Sequence, residues 1–329
     1  MVSTGFAVVR PSAMFLNSRF ANYALREPSF LTEIEKRSVG VSYPAINPSD
    51  LTDISISLPP LCEQRAIADY LDLETARLDA LVAAKERVLA LLAEKRQALI
   101  ARAVTRGIDP DVTYRDTRIS WLGDIPAHWC HCHLKRALAS VDYGISDSVD
   151  TSGSIAVLRM GDIRNGEIDY SDVGFVEEVD ESSLLQPGDI VFNRTNSLDQ
   201  IGKTALYRGK DDYRVSFASY LVRFRCGSKV LPEFLNYLLN SSYPTAWGRS
   251  EALPAIGQAN LNPNRYGYLP IALPPLTEQR RIVEYISEFT GRIDALCAKT
   301  LQTVTLLKER RAALIGAAVT GRIDVERAA

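Results

Sequence analysis

Among 329 residues there is no run of 18 consecutive apolar side chains, so no membrane-crossing helix is expected. The first twenty residues, MVSTGFAVVRPSAMFLNSRF, lack a positively charged start leading into a long apolar region, so no signal peptide is read. Five cysteines at irregular positions do not make a disulfide framework and suit a reducing cytoplasm. Excess positive charge is also missing, with 38 Lys and Arg against 40 Asp and Glu. No Asn-Pro-Pro-Tyr or Asp-Pro-Pro-Tyr of an amino-methyltransferase occurs, and no carboxylate cluster suited to a nuclease. The last absence is local. From Cys62 to Arg106 there is neither Pro nor Gly, and from Thr277 to Thr320 only Gly291 and Gly316.

Those two stretches belong to one repeated segment. Residues 58–109 and 273–324 align without a gap at an offset of 215, with about half their positions identical. Such a repeat decides the architecture before any local pattern does. Each copy opens Leu-Pro-Pro-Leu, where proline marks an extended lead-in or a first helical turn. Ala, Leu, Glu, Lys and Arg follow, strong helix formers, enough for a helix of about 65 Å. Apolar residues recur at steps of three and four: Ile67, Leu71, Leu78, Leu81, Val82, Val88, Leu89, Leu92, Leu99 and Ile100 in the first copy. Ile282, Ile286, Ile293, Leu296, Cys297, Leu306, Leu307, Leu314 and Ile315 match them in the second. A lone helix would expose this stripe, so each helix is expected to pair with the other through an imperfect heptad seam. The seam residues expected are Ile67, Leu71, Leu78, Leu92, Leu99, Ile282, Ile286, Ile293 and Leu314.

Between the helices the pattern changes. Residues 110–118 read as a polar linker, and 119–272 as a mixed α/β domain. Strands are expected at Ile155–Met160, Asp189–Phe192, Thr204–Tyr207 and Tyr220–Phe224, with a short helix at Leu231–Leu239 opened by Pro232. The first 57 residues echo only the end of that domain. Val2-Ser3 matches Val215-Ser216, and Val8-Val9-Arg10 falls where Leu221-Val222-Arg223 falls. Asn22-Tyr23-Ala24-Leu25 matches Asn236-Tyr237-Leu238-Leu239. A half-domain would leave Phe6, Val8, Phe15 and Phe20 without most of their partners, and self-association is expected from its open edges.

These residues resemble the specificity subunit of type I restriction-modification systems. The motifs are Leu58-Pro59-Pro60-Leu61 with Glu63-Gln64-Arg65, and Leu273-Pro274-Pro275-Leu276 with Glu278-Gln279-Arg280. Ser120-Trp121-Leu122-Gly123-Asp124-Ile125-Pro126-Ala127-His128-Trp129, Gly161-Asp162-Ile163 and Pro187-Gly188-Asp189-Ile190 support them. The resemblance implies an α+β architecture: mixed α/β target recognition plus two long antiparallel coiled-coil-like spacer helices. Residues 1–57 would be the C-terminal part of a first target-recognition domain lacking about 96 residues. The first spacer helix would be 58–109, the linker 110–118, the second recognition domain 119–272, the second spacer helix 273–324 and a tail 325–329. The resemblance further implies double-stranded DNA and modification (methyltransferase) subunits as partners, with restriction subunits joining through the complex. It implies no catalysis in this chain and no cofactor.

Base contacts suit Arg on guanine and Asn or Gln on adenine, while other cations hold phosphate. Candidates in the expected loops are Arg159, Arg164, Asn165, Arg194, Asn196, Ser197, Lys203, Arg249 and Gln258. Residues 119–272 nevertheless carry 14 Lys and Arg against 18 Asp and Glu, so weak DNA affinity is expected of the chain alone. Two readings therefore stand: a DNA-recognition and scaffold subunit, or a protein–protein scaffold that has lost bipartite recognition. Gly202-Lys203-Thr204 lacks the earlier glycine of a phosphate-binding loop, since Ser197 stands there. Cys130-His131-Cys132-His133 invites zinc, but alternation along a strand would keep the four from sharing one ion.

Overall fold

The computed structural model describes residues 8–40, 44–210, 212–255 and 257–325. Its helices are α1 (Ser18–Ala24), α2 (Pro28–Arg37), α3 (Pro48–Thr52), α4 (Leu61–Arg106), α5 (Pro232–Leu239), α6 (Ser242–Glu251), α7 (Pro263–Tyr266) and α8 (Leu276–Val319). The chain divides into two units, residues 1–92 with 294–329, and residues 93–293. Among the described residues no helix is long and apolar enough to cross a membrane.

The first unit packs the start of α4 against the end of α8. Ile67, Ala68 and Leu71 share a buried cluster with Ile315, Ala318 and Val319, closed by Phe20, Tyr23 and Ala24 of α1. Further along, Asp79 pairs with Arg311 at 2.9 Å and Glu86 with Lys308 at 3.6 Å. Contacts that climb one helix and descend the other make the pair antiparallel. Leu78 is buried, Leu314 half-buried against the cluster, and Leu92 half-buried. Leu81, Val88, Leu296 and Leu306, expected on the stripe, are instead exposed. A straight helix has 3.6 residues per turn, so a strict heptad pattern drifts off its seam.

The second unit makes the same arrangement from the other ends. Ile100, Ala103 and Val104 of α4 share a core with Ile282 and Ile286 of α8 and with Phe234, Leu235 and Leu238 of α5. Leu99 packs half-buried against it, and Ile293 is buried. Gly107 ends α4 at φ +77°, a conformation that glycine reaches without a Cβ penalty.

Over this core lies an antiparallel sheet in the order 204–206, 190–193, 221–226 and 138–143. Ile190–Asn193 is buried at every position, as expected of a central strand under helices. A second sheet runs 214–217, 155–158 and 174–176, with its first pair parallel. The chain crosses between the sheets at Gly144, where a Cβ would lie 2.2 Å from the Phe217 carbonyl oxygen, so only glycine fits. The four expected strands and the short helix are all found, shifted by a residue or two. The stretch expected as a polar linker is partly structured. Tyr114–Asp116 pairs with Asp124–Pro126, and Arg115 donates to the carbonyls of Ala127 (3.2 Å) and Trp129 (2.8 Å).

The order α5, α6, ribbon, α7 of the second unit recurs in the first as α1, α2, a Val39–Ala45 bridge and α3. Proline or a capping side chain sets the starts. Asn17 accepts from the Arg19 and Phe20 amides, Glu27 accepts from those of Ser29 and Phe30, and Pro48, Pro232 and Pro263 occupy first turns. Phe20, expected to lack partners, is fully buried, because the α4 and α8 faces supply them. Val8 and Phe15 are exposed. Val2, Ser3 and Phe6 lie outside the described residues.

Candidate nucleic-acid interface

The nine candidate side chains separate into three groups. Arg194, Asn196, Ser197 and Gln258 come together on one ribbon, where Thr195–Asn196 pairs with Gln258–Asn260. The second strand of that ribbon also pairs with Leu253–Ala255. Arg249 of α6 reaches the same place, with its guanidinium 3.4 Å from the Asp199 carbonyl oxygen. Asn165 and Lys203 line a separate cleft of about 230 Å³ with Asn236 and Asn240. Arg159 and Arg164 are engaged by acids. Arg159 donates to the Asp172 carbonyl oxygen and carboxylate, and Arg164 lies 2.8 Å from Asp169.

Arg194 is anchored through its backbone. Its amide donates to the Tyr220 carbonyl oxygen (3.2 Å), and its own carbonyl accepts from the Leu261 amide (2.8 Å). The half-buried guanidinium stands over the Tyr143 ring, 5.1 Å from the centroid. Tyr143 and Tyr220 are themselves half exposed, with Leu198 and Leu253 exposed nearby along the chain. A guanidinium fixed over an aromatic ring has its planar fork pre-organised, which lowers the entropy lost when it binds a base edge or phosphate. Ser197 donates to Asp199 (2.7 Å) and Lys203 to Gln200 (2.7 Å), so the turn from 197 to 203 holds itself in shape.

Two suspected sites dissolve into ordinary structure. Lys203 is followed by a strand, not a helix, and the Thr204 hydroxyl donates to Asn236 (2.8 Å) inside the core. Cys130–His133 is indeed a strand, paired with Pro270–Leu273. His131 Nδ1 lies 3.4 Å from Arg115, and His133 Nδ1 lies 2.8 Å from the Tyr268 carbonyl oxygen. Among the described residues no group of three His, Cys, Asp or Glu side chains could hold a metal ion.

What the sequence did not reveal is how the motifs work. Gln64 and Gln279, one in each repeat, are completely buried. Gln279 Oε1 accepts from the Leu231 amide (2.7 Å), and its Nε2 donates to the carbonyls of Lys229 (3.0 Å) and Pro274 (2.9 Å). Gln64 does the same with the Asn17 amide (2.7 Å) and the carbonyls of Phe15 (2.9 Å) and Pro59 (2.7 Å). Each glutamine ties the start of a long helix to the segment leading into α1 or α5. Its identity in both copies was the available signal. Glu278 accepts from the Trp129 indole N–H (3.1 Å) and pairs with His128 (2.7 Å).

The acidic motif residues serve the sheets that carry the ribbon. Asp189 is buried and takes both Nε and Nη2 of Arg225 at 2.8 Å. That bidentate bond raises the Arg225 pKa. Buried Arg223 joins them, donating to Asp142 (2.8 Å) and to the carbonyls of Ser182 and Leu184. Burial pushes the Asp142 carboxyl up, but the Arg223 and Ser140 hydrogen bonds prevail and hold it below its usual range. Asp162 accepts from the Arg159 amide (2.7 Å), and its carboxyl sits above the usual range because burial outweighs that bond.

Several known proteins are similar. The family model described as the type I restriction modification DNA specificity domain matches residues 1–89. The Type I restriction enzyme EcoKI specificity subunit of Escherichia coli (strain K12) is 25% identical over 97% of this chain and 68% of its own length. The StySPI specificity subunit of Salmonella potsdam is 23% identical over 95% of this chain and 67% of its own. Among solved structures, a chain of a type I R-M system superposes with a TM-score of 0.74 at 19% identity, covering 96% of this chain and 74% of that one. The HsdS subunit from Thermoanaerobacter tengcongensis gives 0.51 at 20% identity, covering 98% and 74%. The fold, the doubled helical segment and these relatives agree: over nearly its whole length the chain is similar to specificity subunits of type I restriction-modification systems.

Proposed function

We propose that this chain is a non-catalytic, cytoplasmic DNA-recognition and scaffold subunit. It directs modification subunits, and through them restriction subunits, to a DNA target. Residues 119–272 form its complete recognition domain, residues 1–57 correspond to the closing part of another, and α4 with α8 sets the spacing. The observation that carries this is the ribbon on which Arg194, Asn196, Ser197 and Gln258 converge beside half-exposed Tyr143 and Tyr220. Two donor types able to read base edges, beside an aromatic ring, suit a groove contact.

Arg194→Ala should lose about 1–3 kcal/mol of specific binding if the side chain reads a base, with preference relaxed at one position. A phosphate contact should instead cost affinity evenly across sequences. Fluorescence anisotropy of the assembled complex with modification subunits measures this. Unchanged binding after Arg194, Asn196 and Gln258 are all replaced by Ala would sink the proposal.

The second reading, a protein–protein scaffold without bipartite recognition, is favoured by the acidic balance of residues 119–272. It predicts a stable complex with modification subunits and no sequence preference at any salt concentration, a combination that separates it from the first.

A further inference from the structure

Cys130 and Cys132 take no part in the ribbon or in the helix pair. Alternation along their strand sets both on one face, with His131 and His133 on the other. The two imidazoles lie against Arg115 and the Tyr268 carbonyl oxygen. The two thiols instead line a cavity of about 420 Å³ within the second unit, a volume suited to a small molecule. Cys130 is exposed and Cys132 half-buried, and both are free thiols.

The rest of the lining is cationic and apolar. Arg136 and Lys229 reach it from two separate segments, and both are exposed. Neither side chain has a hydrogen-bond or ion-pair partner among the described residues. They form a local cationic patch in a stretch where acids outnumber bases. The nearby acid, Glu278, is already engaged by His128 and Trp129. One wall is the lead-in to α8, residues 273–276, with Pro274 buried in it. Burial holds the Cys132 thiol above its usual range, against the opposing pull of Arg136 and Lys229. Two residues apart along a strand, the Cα atoms lie about 6.6–6.8 Å apart, at the far end of what a disulfide spans. A bond between the two cysteines would therefore distort a strand held in register with Pro270–Leu273.

We propose that this cavity binds a small anionic disulfide and takes one half of it as a mixed disulfide on Cys130. Arg136 and Lys229 draw in and hold the ligand's carboxylates, and the proline wall covers its carbon chain. The Cys130 thiolate attacks one ligand sulfur. The ligand's S–S bond breaks, a new S–S bond forms to Cys130 Sγ, and the other half leaves as a thiolate. Cys130 is the nucleophile because it is the exposed thiol of the pair. Cys132 is more buried and poorly spaced for displacing the adduct, so the modification persists until an external thiol removes it. Neither DNA nor a modification subunit takes part, so this site and the function proposed above can fail separately.

The test incubates the full chain with oxidised glutathione, an anionic disulfide, or with neutral 2-hydroxyethyl disulfide, and maps the adducts over time by mass spectrometry. Cys62, exposed in the other unit, is the reference thiol. Relative to Cys62, Cys130 should favour the anionic reagent over the neutral one at least about fivefold, as two exposed charge contacts allow. Arg136→Gln with Lys229→Gln should abolish that preference and leave reaction with the neutral reagent unchanged. Melting should also stay unchanged, since both side chains are exposed and unpartnered. Dithiothreitol should release the adduct. Three results would each overturn the proposal: no preference in the unaltered chain, a preference that survives both substitutions, or a Cys130–Cys132 disulfide in place of the adduct.

Discussion

Gln64 and Gln279 are equally buried and make equivalent hydrogen bonds, whereas Glu63 and Glu278 one residue earlier share nothing but their chemistry. Glu278 holds the indole and imidazole at the opening of its domain, and Glu63 faces solvent. The glutamine's partners come from the loop before α1 or α5 and from the proline lead-in, which both units contain. The glutamate's partners lie far back along the chain, in a segment that the second unit supplies for itself. One motif thus contains a residue whose environment is local and one whose environment depends on a distant segment.

Three stability measurements sharpen this comparison. The largest effect is expected where the second unit has something without a parallel in the first. Asp189→Ala removes the bidentate partner of Arg225 and a neighbour of buried Arg223, and should cost about 3 kcal/mol. Chemical denaturation should show the loss in the transition of residues 93–293, with the other transition in place. Equal loss in both would break the division into independent units.

Next come the two glutamines. Gln64→Ala and Gln279→Ala each strand one amide and two carbonyls, and each should cost about 2–3 kcal/mol. The prediction is near equality, each in its own unit. A difference above about 1 kcal/mol would mean that the two latches are alike in geometry but not in energy.

The smallest effect separates the glutamates. Glu278→Ala leaves the buried Trp129 indole N–H unpaired and should cost about 1–2 kcal/mol. Glu63→Ala should fall within about 0.5 kcal/mol of zero in the chain alone. Comparable losses at both positions would show that Glu63 already has a partner.

The repeat, the helix type and length, the central strands and the short helix at 232 were legible because periodicity and proline placement are local signals. Leu71, Ile286 and Ile67 follow from the apolar stripe alone. Leu81 and Leu306 do not, since the angle at which a stripe drifts off its seam depends on how two helices settle together. Of the candidate interface, residue type pointed to Arg194, Asn196, Ser197 and Gln258, but not to their convergence, because Gln258 reaches the ribbon through pairing across more than 60 residues. The same residue types nominated Arg159 and Arg164, which the fold gives to Asp172 and Asp169. Lys203, nominated with Arg194, faces a different cleft because the strand at 204 turns it there.

By itself, then, the amino-acid order determined two long amphipathic helices and a mixed α/β segment between them. Those follow from backbone propensity and side-chain period, which act within a few turns or residues. Only the tertiary structure decided that Gln64 and Gln279 are latches, that Asp189 is a buried anchor and that Glu63 is left open. The reason is physical: whether a polar side chain is a latch, an anchor or an exposed acceptor depends on which groups long-range folding brings within about 3 Å of it.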